Sequence, residues 1–215
     1  MSKQLWKPGN MLYPLPAVLV SCGDKAGNYN VLTVAWTGTI CSDPAMVYVS
    51  VRKNRYSHHM LEETGEFYIN LTTEALAFAT DYCGVKSGKD LNKFEEMHLT
   101  PEMGMLSWAP MIKESPVCIA CEVVRIEELG SHDMFIANVK GVYADEAYMD
   151  EKGKFDLIKA KPIVYSHGQY YGLGRYIGKF GYSVQKNSAK VKKALVYANL
   201  SHLWFNLQNC KFNVR

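Results

Sequence analysis

Apolar residues in this chain fall in short runs separated by turn-forming clusters, and most runs alternate or stay continuous instead of following a helical period. Ala17 to Cys22 is a continuous apolar run closed by Gly23-Asp24-Lys25-Ala26-Gly27-Asn28. Val31 to Ile40 is rich in β-branched and aromatic residues and predicts one strand. Ser42-Asp43-Pro44 ends it, because proline fixes φ and keeps the residue before it out of the α region. Met46 to Val51 predicts a second strand, followed by the basic loop Arg52-Lys53-Asn54-Arg55. A helix signal comes next, with Ser57 as N-cap, Met60 and Leu61 as apolar face and Gly65 as stop.

The same pattern runs on. Glu66 to Leu71 predicts a strand, and Thr72 or Thr73 caps a helix that runs through Tyr82 and ends at Gly84. Lys86 to Lys89 reads as loop, and Asp90 opens a short helix with Leu91 and Phe94 on one face. Leu99 to Pro116 reads as loop because of its prolines. Val117 to Ile126 predicts a strong strand, turned back by Gly130-Ser131-His132-Asp133 into Met134 to Tyr143, and Gly153 marks a further turn. Ile163 to Val184 is dense in glycine and tyrosine, a composition suited to close backbone approach beside flat rings. Many short strands with two or three helices predict a mainly β fold, an antiparallel Greek-key barrel with helical attachments.

Composition narrows the function classes. With 215 residues, 48% hydrophobic and 21% charged, and no Pro/Ser/Gly-rich linker, the chain is expected to form a single large domain. A net charge of +3 gives no indication of nucleic-acid binding. No apolar run approaches the roughly 18 residues of a membrane span, and no signal peptide is readable. A soluble, cytoplasmic protein without nucleic-acid or membrane partners is expected. Cysteines at 22, 41, 83, 118, 121 and 210 are scattered and expected to stay reduced. Cys118 and Cys121 have redox-motif spacing, but a strand sends positions three apart to opposite faces. No histidine, cysteine or carboxylate group has metal-ligand spacing, no Gly-x-Gly-x-x-Gly follows a strand, and no Ser-His-Asp set is visible.

The candidate chemistry sits where the second strand meets the first helix. A helix start offers unpaired N–H groups and the positive end of its dipole, so Arg52, Arg55 and Ser57 together suit a phosphate. A solvated basic loop is the alternative.

Five stretches carry a family resemblance: VLTVAWTGTICSDP, VYVSVRKNRYSHHMLEETGEFYINL, DYCGVKSGKDLNKF, GSHDMFIANV and YYGLGRYIGKFGYSV. In this order they resemble the flavin reductase-like, FMN-binding split-barrel family, especially its flavoredoxin-type branch. The resemblance covers about residues 8 to 186, so the expected domain is 1–186 with a C-terminal tail, 187–215, of unknown role. It implies a six-stranded antiparallel Greek-key split barrel, a homodimer with flavin near the subunit interface, FMN as cofactor and NADH or NADPH as electron donor. The apolar tail residues Leu195, Val196, Leu200, Trp204 and Phe205 also argue for a dimer. On this resemblance Arg52, Arg55 and Ser57 hold the phosphate, with Tyr56 near the ribityl chain and Ser87 and Lys89 as a second phosphate contact or rim. Thr33, Trp36, Thr37 and Gly38 face the flavin edge, Ser50 and Val51 close the same wall, and Asn70 ends a strand beside it. His132 lies near the flavin or nicotinamide as a positioning group. Each has a plainer role open to it: core tryptophan, strand-end asparagine, solvated turn histidine. The expected activity is hydride transfer from NAD(P)H to FMN with electrons passed onward. An electron carrier with a protein redox partner, or a non-catalytic flavin-binding barrel, are the alternatives.

Overall fold

The computed structural model describes residues 2–184. In chain order the strands and helices are β1 (Leu15–Pro16), β2 (Val18–Gly23), β3 (Tyr29–Val34), β4 (Thr37–Ser42), β5 (Ala45–Arg52), α1 (Ser57–Thr64), β6 (Glu66–Leu71), α2 (Ala77–Val85), α3 (Lys93–Glu96), β7 (Pro101–Met103), β8 (Pro110–Ile112), β9 (Val117–Glu128), β10 (His132–Ala144), β11 (Ile163–Ser166) and β12 (Gln169–Gly172). A seven-stranded antiparallel sheet runs β3-β2-β6-β9-β10-β5-β4, beside a three-stranded sheet β1-β11-β12 and the hairpin β7-β8.

The expected single strand from Val31 to Ile40 is two strands, because the chain bends at Ala35-Trp36. Thr37 N donates to Ala35 O at 3.0 Å, and Ser50 N of β5 donates to Trp36 O at 2.8 Å. β3 and β4 are therefore the two ends of the sheet and also neighbours along the chain. Counted as one split strand, they turn seven strands into the six expected, and the sheet closes on itself.

Alternation along each strand assigns the faces. Val18, Val20 and Cys22 of β2, Leu32 and Val34 of β3, Val47, Val49 and Val51 of β5, and Phe135 and Ala137 of β10 share the interior core. Met60 and Leu61 of α1 fill the same core and are fully buried. Gly65 ends α1 in the left-handed region (φ 66°), its N–H bonding Leu61 O at 3.0 Å. On the outside, Leu19 and Val31 pack under α2 and α3 with Cys83 and Phe94. A third cluster lies under β7-β8, where Leu106, Ala109 and Met111 cover Tyr68, Cys118 and Ala120. The stretch Leu99 to Pro116 was expected as loop. Its two strands have three residues each, too few for alternation to show.

Several boundaries move. Gly84 does not stop α2 but lies inside it, where a Cβ would come within 3.2 Å of Thr33 Cβ. The cap of that segment is Thr73, whose hydroxyl accepts from Leu76 N at 3.4 Å and opens a 3₁₀ turn ahead of α2. The short helix begins at Lys93 with Asn92 as its cap, later than Asp90. His132 is the first residue of β10, not part of the turn. Contacts divide the chain into Met1–Leu173 and Gly174–Arg215; the second unit's described residues carry a 3₁₀ turn at Tyr182–Val184. The expected tail, 187–215, lies outside the described residues. Among the described residues no helix is long and apolar enough to cross a membrane.

Cys121 belongs to the interior core and Cys118 to the cluster under the hairpin, on opposite faces of β9. Burial pushes the Cys118 thiol up to about 11 and the Cys121 thiol to about 12. Iodoacetamide at pH 8 should therefore spare both in the folded protein and label both after denaturation. Labelling of either one in the native state, read by peptide mass spectrometry, would contradict this placement.

Candidate functional site

Two cavities adjoin on the outer face of the barrel, where β3 and β5 run beside α2. The larger, about 490 Å³, is lined by residues that include Thr33, Trp36, Ser50, His132, Tyr165 and Tyr170. The smaller, about 380 Å³, is lined by Asn30, Ser57, Ser87 and Lys93 among others. Leu32, Thr33, Arg52, Arg55 and Gly84 line both, so the two form one continuous recess. Each volume lies in the ordinary range for a small-molecule site.

The smaller cavity is lined by the basic side chains of Arg52, Arg55, Lys86 and Lys93. Arg52 ends β5 and lies directly across the ladder from His132. Arg55, exposed, follows one turn later, its N–H bonding Arg52 O at 2.9 Å. Ser57 is not an N-cap: it is the first helical residue, the flanking Tyr56 makes no side-chain cap bond, and the Ser57 hydroxyl accepts from Asn30 Nδ2 at 2.6 Å. Asn30 in turn constrains the loop after α2, since a Cβ on Gly88 would come within 2.2 Å of Asn30 Oδ1. Beneath these lies Lys93, 4% exposed, donating from Nζ to Val31 O at 2.8 Å and Cys83 O at 2.9 Å. An ammonium has three donors, and these two carbonyls leave the third. Burial first, then Arg55, lowers Lys93 to about 8.

The larger cavity is aromatic. Trp36 and His132 hold near-parallel rings, 9° apart in plane with centroids at 6.3 Å. Tyr165 reaches Trp36 at 6.4 Å and Tyr170 at 5.8 Å. His132 lies against Ser131 Oγ at 2.9 Å from Nδ1, and burial with Arg52 and Arg55 lowers its pKa, favouring the neutral imidazole. Thr33 is held by a hydrogen bond from its hydroxyl to Thr80 O of α2. Ser50 and Arg52 point outward because Val49 and Val51 point into the core; Val51 lines the recess from the strand it belongs to.

Four other candidates lie elsewhere. Thr37 is buried and its hydroxyl donates to Tyr48 O at 2.5 Å, while Gly38 packs against the Tyr48 ring; neither lines the recess. Asn70, 1% exposed, sits under β8: Nδ2 donates to Leu19 O and Ser21 Oγ, both at 2.9 Å, and Oδ1 accepts from Ile112 N at 2.9 Å. It ties β2, β6 and β8 together. Lys89 lines a third cavity with Tyr56, Asn28 and Asp90, and Tyr56 also lines the smaller cavity.

Sequence reasoning missed Asn30, Lys93, Asp81, Tyr165 and Tyr170, all of which line the recess. Lys93 left one signal, a lysine beside Phe94 on the apolar side of a short helix. The fold also gathers His58, Glu62 and Asp133. His58 Nε2 is 2.8 Å from Asp133 Oδ2 and Nδ1 is 3.2 Å from Glu62 Oε2, so each carboxylate takes a different ring nitrogen. Lys53 Nζ lies 3.4 Å from Asp133 Oδ1. A cation between these groups would displace bonds already made, and the arrangement acts as a hydrogen-bonded chain tying α1 to β10.

A family model described as flavin reductase like domain matches residues 11–174. The flavoredoxin of Desulfovibrio vulgaris (Miyazaki F) is 30% identical, covering 86% of this chain and 100% of its own, with a TM-score of 0.79. The flavoredoxin of Methanosarcina acetivorans is 29% identical with the same coverage and a TM-score of 0.79. An uncharacterized protein of Archaeoglobus fulgidus is 31% identical over 141 residues, 66% of this chain and 78% of that one.

Asn70→Ala leaves Ile112 N without its acceptor and removes the bonds to Leu19 O and Ser21 Oγ. Unfolding in urea should show a loss of roughly 2–4 kcal/mol, and a loss under about 1 kcal/mol would argue against the clamp. Lys93 gives a pH signature. Its folded pKa of about 8 lies below the unfolded lysine value, so between the two the unfolded chain binds more protons. This site's contribution to the ligand-free protein's stability therefore rises as pH climbs from about 8 towards 10. The difference in unfolding free energy between the native sequence and Lys93→Met should grow in favour of the native sequence over that window. A flat difference would contradict the depressed ammonium.

Proposed function

This chain belongs to the flavin reductase like domain family, and on that premise we propose that it is an FMN-binding oxidoreductase that takes electrons from NADH or NADPH and passes them on. The observation that carries the reading is the continuity of the two cavities, a cationic one and an aromatic one joined through Thr33, Arg52, Arg55 and Gly84. FMN needs such a sequence of surroundings: cations and N–H donors for a dianionic phosphate, hydroxyls and amides for a polyol, and flat walls for a ring system.

The residues divide the work accordingly. Arg52 and Arg55 neutralise the phosphate from the strand end, and Arg52 can form a two-bond fork with it. Lys93 supplies a charge from below, with Asn30, Ser57 and Ser87 as neutral partners. Thr33 and Ser50 face the polyol and ring edge, and Trp36, Tyr165 and the neutral His132 wall the ring. FMN held there would supply hydride acceptance, chemistry that needs no acid or base from the protein in every step. His132 is then a positioning group. The scattered cysteines, expected to stay reduced, support a cytoplasmic setting. The likeness to two flavoredoxins favours a second reading of the same site, an electron carrier whose donor is a protein. A homodimer is supported by exposed apolar side chains at Leu5, Trp6, Leu12, Phe78 and Val85.

Acid release of the chromophore followed by chromatography should yield FMN; FAD as the main species would count against the compact phosphate cavity. Anaerobic bleaching by NADH or NADPH separates the reductase from the carrier, which stays oxidised until a protein donor is added. Arg52→Ala should weaken FMN binding about tenfold to a hundredfold, because a charge-assisted hydrogen bond is worth roughly 1.5–3 kcal/mol. Riboflavin, which has no phosphate, should bind mutant and parent almost equally. An equal fall for both flavins would place Arg52 in a structural role. Light scattering at micromolar concentration should give twice the chain mass, and a monomer would remove the dimer.

A further inference from the structure

We propose that His58 and Glu62, braced by Asp133, bind a divalent transition-metal ion of zinc type at the start of α1. None of the three lines the recess, and the site does not depend on the flavin reading. His58 and Glu62 stand four residues apart on α1, so they share one face of the helix. Two donors are fewer than a metal motif shows along a chain. The third group, Asp133 of β10, arrives only through the fold, 75 residues beyond His58.

The number of protons available is what points to a cation. His58 Nε2 and Asp133 Oδ2 lie 2.8 Å apart, and both side chains are buried. A neutral imidazole carries one N–H, and an ionised carboxylate can only accept. The bond to Asp133 therefore takes that proton at Nε2 and leaves a lone pair on Nδ1. This lone pair meets Glu62 Oε2 at 3.2 Å, so two electron-rich atoms face each other. A second proton on the ring closes the gap and completes the chain from α1 to β10. A metal ion closes it equally well, displacing only the contact between His58 and Glu62 and keeping the bond to Asp133.

Geometry and charge both suit the ion. Zinc holds imidazole nitrogen and carboxylate oxygen at about 2.0–2.2 Å, and a tetrahedral angle then sets the two donors roughly 3.4 Å apart. The observed 3.2 Å needs almost no movement. A metal-bound histidine characteristically donates its other ring N–H to a carboxylate, which fixes the tautomer and raises the ligand's basicity. Asp133 stands in that place, and Phe135 packs edge to face on the ring with centroids at 5.3 Å. Asp133 Oδ1 is buried and, among the described residues, has no hydrogen-bond partner. Its near cation, Lys53 at 3.4 Å, is shared with Glu128 at 2.7 Å. Three carboxylates against one ammonium leave the group net negative around a neutral ring. Glu62 is exposed, so water can complete the coordination. The imidazole donor selects zinc and its neighbours over magnesium or calcium. Ser57 precedes His58 and His132 precedes Asp133, and both line the recess, so the ion would tie two of its walls together.

The test is equilibrium dialysis of the chelator-treated 215-residue chain against zinc at pH 7.5, with the metal counted by mass spectrometry. Glu62→Gln, an exposed substitution, should bind one zinc fewer per chain than the parent, and circular dichroism should show its fold retained. Glu63→Gln, beside it and also exposed, should bind as the parent does. Asp133→Asn keeps an acceptor for Nε2 and should weaken that zinc about tenfold to a hundredfold. Magnesium should not compete. Equal zinc in the parent and Glu62→Gln would place any bound metal on other groups, the cysteines included, and overturn the proposal, as would displacement by magnesium. Should Asp133→Asn fail to fold, the comparison of Glu62→Gln with Glu63→Gln decides alone.

Discussion

The bend at Ala35-Trp36 is the constraint on which the architecture and the recess both depend. A sheet of this size has two edges, and each edge is a row of unpaired N–H and C=O groups. Here the two edges belong to one stretch of chain that changes direction in two residues and pairs with β2 on one side and β5 on the other. The Ser50 N to Trp36 O bond marks the point where the halves meet. Because the bend puts Thr33, Trp36 and Ser50 around one opening, the place where the barrel closes is also where the recess begins.

Strand alternation then divides labour with little redundancy. In β5, Val47, Val49 and Val51 hold the core while Ser50 and Arg52 face out. A one-residue slip would bury the guanidinium and expose the valines, so the hydrophobic demand for register also fixes the cation's direction. On the neighbouring strand the same logic turns Asp133 inward and His132 outward. Asp133 meets His58 of α1 below the surface, and His132 meets Arg52 across the ladder above it.

Buried polar groups secure the parts that alternation does not. Asn70 joins β2, β6 and β8 through side-chain bonds, and Lys93 joins α3 to β3 and the end of α2. An unpaired amide or ammonium at such a place would be costly. Lys93 differs in having donor capacity left over, which makes a tertiary brace part of the smaller cavity's lining. Glycines complete this fit by absence of a side chain: Gly84 admits Thr33, and Gly88 admits Asn30.

The sequence by itself determined the mainly β class, the strands over Ala17 to Cys22, Glu66 to Leu71 and Val117 to Ile126 to within a residue or two, the helix stop at Gly65 and the basic turn at Arg52 and Arg55. These are local properties: alternation, β-branching, proline and glycine act within a few residues, so they can be read along the chain. The opposite orientation of Cys118 and Cys121 was legible for the same reason. Only the tertiary structure decided that Val31 to Ile40 splits, that Asn70 is a clamp, and that Thr37 bonds Tyr48 away from the recess. It alone brought Asn30 to Ser57 and Lys93 to Val31, pairs separated by 27 and 62 residues. No periodicity records such separations, because the side chains meet only after the closed sheet and α2 have fixed where each strand and helix lies.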